Sequence, residues 1–209
     1  MMRYSVALGL AMMLLAVPCH AVEIAVTETL VLDINLMQGW ALYLEPPEAL
    51  VKESARHVAH EPAAAKATAD QIEAVARKRQ EVNEAFVYHA ASGAHLDIDF
   101  SPLDPGQSAP SARTLRNSAK YAAQSLESEE DVSEIVWEIS PAKINGVEET
   151  FLLTAEYLQH EQPMTFRGYI GYIDNYWFFL YFTAPGSEPQ VLQEMQSMLG
   201  LASIRPVGH

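Results

Sequence analysis

Residues 165–200 read TFRGYIGYIDNYWFFLYFTAPGSEPQVLQEMQSMLG, and no other stretch restricts the fold so closely. Residues 166–173 and 176–183 are crowded with aromatic and β-branched side chains, which suit a pleated, half-buried surface. Asp174-Asn175 stands between them. Both residue types tolerate positive φ, so the pair predicts a two-residue hairpin turn. Ala184-Pro185-Gly186 ends the second strand, because proline donates nothing to a ladder and glycine turns freely. Ser187 with Gln190 three residues on has the spacing of a capping box. Val191, Leu192, Met195, Met198 and Leu199 follow at helical spacing, and Gly200 is a suitable stop. A two-stranded apolar ribbon therefore hands over to an amphipathic helix able to fold back on it.

The chain opens MMRYSVALGLAMMLLAVPCHA. Arg3 supplies a basic start, the apolar run 6–17 has signal-peptide length, and it is short for a bilayer span. Small residues precede a cut after Ala21. The expectation is a leader over 1–21, export to a bacterial periplasm, and one domain over 22–209 with no stable membrane span. An uncleaved anchor is the competing reading. Lipid attachment at Cys19 is disfavoured, because Ala16, Val17 and Pro18 make a poor lipobox.

Cys19 is the one cysteine of the 209 residues. Once the leader is removed, disulfides, thiol catalysis and thiolate metal sites are excluded, and packing alone must stabilise the fold. The formal charge is −14, and loss of Arg3 makes it more negative. Such a chain is repelled by phosphate backbones, so nucleic-acid binding is disfavoured, and a basic partner would be steered in. Simple solubility explains the charge as well.

Other segments fill in the architecture. Residues 30–36 alternate as a strand, Gln38-Gly39 turns the chain, and 40–44 is a second short strand. Residues 47–61 suit a short helix that places Glu53, His57 and His60 on one face, a loose metal-ligand spacing or simply a solvated face. Residues 63–84 predict a longer helix, and 85–90 and 94–100 two strands. On the second, His95, Asp97 and Asp99 share a face. That row is the most site-like cluster, able to hold a hard cation or an acid–base pair, with His89 on the neighbouring strand. Alternation alone also predicts polar residues there, on a solvent-facing side. A Pro-rich loop leads to a helix over 111–126 with a narrow face of Ala112, Leu115, Ala119, Ala122 and Leu126, and with Arg113, Arg116 and Lys120 in a stripe. Residues 134–140 and 149–158 are strands flanking Asn145-Gly146, the strongest hairpin signal present. Short turns between successive strands require antiparallel pairing. The fold class is α+β, an antiparallel sheet of about six to seven strands sandwiched by helices.

The segment LDINLMQGW at residues 32–40 resembles the opening strand, turn and Gly-Trp of the PsbP-like superfamily, which includes the DcrB-type periplasmic proteins. The aromatic hairpin, FTAPGSE at 182–188 and the closing helix are similar to that family's end. The region 46–69 departs from it as a long insertion. The resemblance implies a helix–sheet–helix sandwich acting as a binding or assembly factor, without shared catalytic residues.

No Gly-x-Ser-x-Gly, His-Glu-x-x-His or phosphate loop occurs. The first functional expectation is therefore a non-enzymatic periplasmic protein, requiring no cofactor, that acts through a protein partner, with an immunity-like or accessory role among the options. Tyr169, Tyr172, Tyr176 and Trp177, with Tyr181, form the expected contact surface, since such residues enrich at hot spots. The alternatives are a metal-binding protein or metal-dependent hydrolase using His95, Asp97 and Asp99, and a carrier of small apolar ligands.

Overall fold

The structure is a computed structural model and describes residues 20–208, apart from Glu130 and Ser187. Residues 1–19 of the expected leader over 1–21, with Cys19, and the expected cap Ser187 lie outside the described residues. The elements run β1 (His20–Ala25), β2 (Leu30–Leu36), β3 (Trp40–Tyr43), α1 (Glu48–His60), α2 (Ala69–Gln80), β4 (Ala85–His89), β5 (Ala94–Pro102), α3 (Ala112–Glu127), β6 (Val132–Ala142), β7 (Thr150–Gln159), β8 (Gln162–Ile173), β9 (Tyr176–Pro185), α4 (Pro189–Gly200) and β10 (Ser203–Pro206). No helix among the described residues is long and apolar enough to cross a membrane.

The α+β class is as expected, but the strands form two sheets. Seven take the order β3-β4-β5-β9-β8-β7-β6, and a small sheet has the order β1-β2-β10. Every paired strand is antiparallel. The β2 segment was expected in the main sheet. It pairs instead with β1 and β10, two short strands that the sequence pattern did not single out.

Period two gives the large sheet two different faces. On the inner face Val87, Leu96, Ile98, Phe178, Leu180 and Phe182 pack with Leu32 and Ile34 of β2 and with Val191, Met195 and Met198 of α4. Phe86, Phe178 and Phe182 are fully buried, each contributing about 2–3 kcal/mol of transfer free energy. Trp40 anchors α4 to this core, its indole N–H donating to Glu194 at 2.9 Å. On the helical face Ala119 and Ala123 of α3 lie against Leu153, Ile170, Trp137 and Phe179. Alanines there let the helix approach the sheet closely.

Turn chemistry holds where the residues demand it. Asp174 and Asn175 both have positive φ, at 45° and 68°, as a type I′ turn requires. Asn145-Gly146 behaves differently. It lies within the connection 143–149, where Gly146 alone has positive φ, 85°, and the Val147 N–H donates to the Ile144 carbonyl at 3.2 Å. That is the pattern of a type II turn. The pair docks on β10 rather than closing a tight hairpin, with the Ile204 N–H donating to the Asn145 carbonyl at 2.9 Å. α2 begins later than expected. Thr68 caps it in a full capping box with Gln71, and Val75 and Val82 of its expected apolar face are exposed. α4 starts with Pro189 in its first turn and has no side-chain cap from Glu188.

Candidate functional site

The helical face is incompletely covered. Between α1 and the C-terminal end of α3 lies a crevice of about 300 Å³, whose lining includes His95, Thr183, Phe166 and Tyr157 from β5, β9, β8 and β7. Register places His95 beside Thr183, and Thr183 beside Phe166. Glu53, His57 and Glu129 stand along its sides. Burial raises the Glu129 carboxyl, opposed by nearby His57 and reinforced by Asp131. Burial likewise raises the Tyr157 phenol, and Glu129, Glu53 and Glu156 add to the effect.

Three segments remote in sequence meet beside this crevice. His57 Nδ1 lies 3.6 Å from Asp131 Oδ2, and His160 Nε2 lies 3.3 Å from the same oxygen. The two imidazoles stack with centroids 5.6 Å apart, and the His60 ring stands 6.1 Å from that of His160. The expected trio on α1 was Glu53, His57 and His60. The structure keeps His57 and His60 close, and supplies Asp131 and His160 from the α3–β6 loop and the β7–β8 turn. His160 and Glu161 occupy that turn with φ of 50° and 65°. These are left-handed conformations, which histidine tolerates better than glutamate. The His160 N–H donates to the Asp131 carbonyl at 3.2 Å, which ties turn to loop. Proximity in space has no signal in the local pattern of any of the three segments.

The row His95, Asp97 and Asp99 does share one face of β5, and each of the three is half-buried. That face is the helical one and is not simply solvated. Asp97 Oδ1 is sealed from solvent with no hydrogen-bond partner. Burial holds the Asp97 carboxyl above its ordinary range, His95 opposes this, and Glu53 adds to it. Asp99 is raised by burial and lowered by the Ser101 hydroxyl, which donates to it at 3.0 Å. His95 Nδ1 lies 3.3 Å from the Gly93 carbonyl. Among the described residues, the donor atoms that converge within 4.8 Å of one another are those of His57, Asp131 and His160, not this row. His89 contacts Ser92, 2.8 Å from its Nδ1, and the Trp40 ring.

Glu84 extends the acidic row, accepting the Phe100 N–H at 2.7 Å. Burial lifts its carboxyl from 4.5 to about 7, opposed by hydrogen bonds from the Phe100 and Glu84 backbone and reinforced by Asp99. An acid raised by folding holds an extra proton in the folded chain between those two values. Stability is therefore expected to fall as pH rises from about 5 to 8. Asp97 and Asp99 act in the same direction. Solvent screening of the partly exposed Glu84 brings its share to about 1–2 kcal/mol. Urea unfolding should show Glu84→Gln more stable than wild type at pH 8 and level with it at pH 5. An unchanged pH slope in the variant would refute this account of Glu84.

The tyrosine-rich hairpin divides between the faces. Tyr169 and Tyr176 pack on the inner core, and Trp177 lies parallel to Phe179 on the helical face, with centroids 6.2 Å apart. The Tyr172 hydroxyl donates to Asn175 Oδ1 at 3.2 Å. All four residues are half-buried.

A second concave surface runs between α3 and the edge strand β6, lined by Arg113, Arg116, Asn117, Lys120, Trp137, Glu138 and Ile139. β6 pairs with β7 on one side and ends the sheet on the other. Arg77, Arg79 and Arg167 elsewhere are held by glutamates. No ion pair engages Arg113, Arg116 or Lys120 among the described residues. Tyr121, the next residue on α3, is 69% exposed.

No family profile and no curated protein matches the chain. Solved structures do. The solution structure of cyanobacterial PsbP (CyanoP) from Synechocystis sp. PCC 6803 is similar at 7% identity and a TM-score of 0.51, over 84% of this chain and 86% of that one. LpqN of Mycobacterium tuberculosis, a protein involved in cell envelope biogenesis, is similar at 11% identity and a TM-score of 0.50, over 91% and 92%. At such identities the likeness concerns the path of the backbone, and it agrees with the antiparallel sheet covered on both faces described above: the chain has a PsbP-like fold.

Proposed function

We propose that this chain is an exported, non-enzymatic accessory protein that acts by binding a protein partner, and that the partner presents an extended acidic segment to the groove between α3 and β6. The observation that carries this reading is the unpaired basic stripe beside an open strand edge. Arg113, Arg116 and Lys120 recur on one side of α3, next to the regular stretch 136–140 of β6. An edge strand offers main-chain donors and acceptors to an added strand, and neighbouring cations select its side chains. The rest of the chain carries a strong negative charge, which repels acidic segments elsewhere and so confines them to this stripe. Trp137, half-buried in the groove, supplies an aromatic anchor. The similarity of fold to LpqN, described as involved in cell envelope biogenesis, supports an envelope role. The hairpin residues Tyr169, Tyr172, Tyr176 and Trp177 do not form a single docking surface beside the groove, because Tyr169 and Tyr176 pack on the inner core and Trp177 on the opposite face.

Immobilised protein exposed to envelope extract is expected to retain a partner whose binding weakens with salt. Arg113→Glu/Arg116→Glu should lose it. Lys66→Glu/Lys78→Glu, an equal charge change outside the groove, should keep it. Equal retention by both variants, or no specific partner for wild type, contradicts the proposal.

A further inference from the structure

We infer that His57, Asp131 and His160 form a binding site for a divalent transition-metal ion of the zinc class. Two imidazoles and one carboxylate are the donor set such ions take in sites that keep a position open. The spacing suits it. Tetrahedral zinc, with bonds of about 2.0–2.1 Å, places its ligand atoms about 3.4 Å apart. Asp131 Oδ2 is 3.6 Å from His57 Nδ1 and 3.3 Å from His160 Nε2. All three donor atoms lie within 4.8 Å of one another. A small turn of the His57 and His160 rings brings both nitrogens onto one ion.

His160 and Glu161 hold the two central positions of a tight turn with positive φ, positions that glycine or asparagine would fill at less cost. The antiparallel pairing of β7 with β8, continuous to Gln159 and Gln162, imposes that turn. Here it aims an imidazole at Asp131. Glu53, along the adjoining crevice, adds a carboxylate that favours a cation. His60, its ring 6.1 Å from that of His160, is placed to supply a fourth ligand after a change of rotamer. Otherwise solvent takes that position. The site joins α1 to the β7–β8 turn at the C-terminal end of α3. The groove argued above lies along the N-terminal half of that helix, so the two assignments stand or fall separately.

The test is calorimetric titration of chelator-treated protein with zinc ion alone, at neutral pH in a non-coordinating buffer. The expected result is one ion per chain and a rise in the unfolding midpoint with zinc. His160→Ala and Asp131→Asn should each weaken binding at least about tenfold, while His89→Ala, remote from the site, leaves it unchanged. Cobalt substitution should give the intense visible absorption of a tetrahedral ion, and that absorption should vanish in His57→Ala. Circular dichroism of each variant separates loss of a ligand from loss of the fold. No binding by wild type, or binding that survives both His160→Ala and Asp131→Asn, overturns the assignment.

Discussion

Gly146→Ala is expected to lower folding stability by about 3 kcal/mol, among the largest losses that one added methyl group can cause in this chain. A Cβ built on Gly146 falls on the Ile204 carbonyl oxygen, a backbone atom with little freedom to yield. The residue also sits at φ +85, where a side chain costs about 1–2 kcal/mol. Overpacking against backbone adds about 1–3 kcal/mol. Relief requires β10 to part from the connection 143–149, which breaks the Asn145–Ile204 and Asn145–Ala202 hydrogen bonds. Urea unfolding measures the loss, and faster amide exchange at Ile204 localises it. A loss below about 1 kcal/mol would contradict this reading of the turn.

The second large effect concerns Phe178. Its ring is fully buried, stacks on Phe100 at 5.8 Å, and lies over Gly171 of the neighbouring strand. Phe178→Ala is expected to cost about 3–5 kcal/mol through lost burial and the cavity left behind. Gly171→Ala should cost about 1–3 kcal/mol, because its new Cβ would stand 2.3 Å from the Phe178 ring. Together the two should be less damaging than their sum, since the cavity left by Phe178 receives the new methyl. A double-mutant cycle is expected to show coupling of about 1–2 kcal/mol. Additive losses would mean that the ring does not press on Gly171.

The aromatic hairpin was the part of the fold most legible in advance. Alternation in 166–173 and 176–183, with Asp174-Asn175 between, specifies strand, turn and strand locally, and β8 and β9 follow that plan. Resemblance in the short segments 32–40 and 182–188 pointed to the PsbP-like fold that the structural likeness supports. Two kinds of feature escaped. β1 and β10 are short strands of six and four residues, so neither carries a long alternating pattern, and β10 pairs with a segment far away in the chain. β1 also begins at His20, inside the expected leader, whose apolar signal masks any strand signal. Asn145-Gly146 carried a strong local signal for a tight hairpin, and tertiary docking on β10 selected a different turn.

The site shows the same division. Alternation placed His95, Asp97 and Asp99 together on one face of β5 correctly. It could not show that α1 and α3 flank that face, which leaves the Asp97 carboxylate sealed and raised. His57, Asp131 and His160 come from segments separated by whole elements, and only the folded chain brings their donor atoms together. The basic stripe of α3 was visible from its spacing. Its value as a docking surface depends on β6 being an edge strand, which follows from sheet order.

The activity proposed for this protein is docking of a partner along the groove between α3 and β6. A photo-crosslinking residue placed at Tyr121, beside the stripe, tests it directly in the living cell. A second variant, with the residue at the exposed Val82 in the turn after α2, serves as control. The account predicts one discrete adduct from position 121, lost when Arg113 and Arg116 are changed to Glu, and none from position 82. Adducts of equal yield from both positions, or none from either, would contradict it.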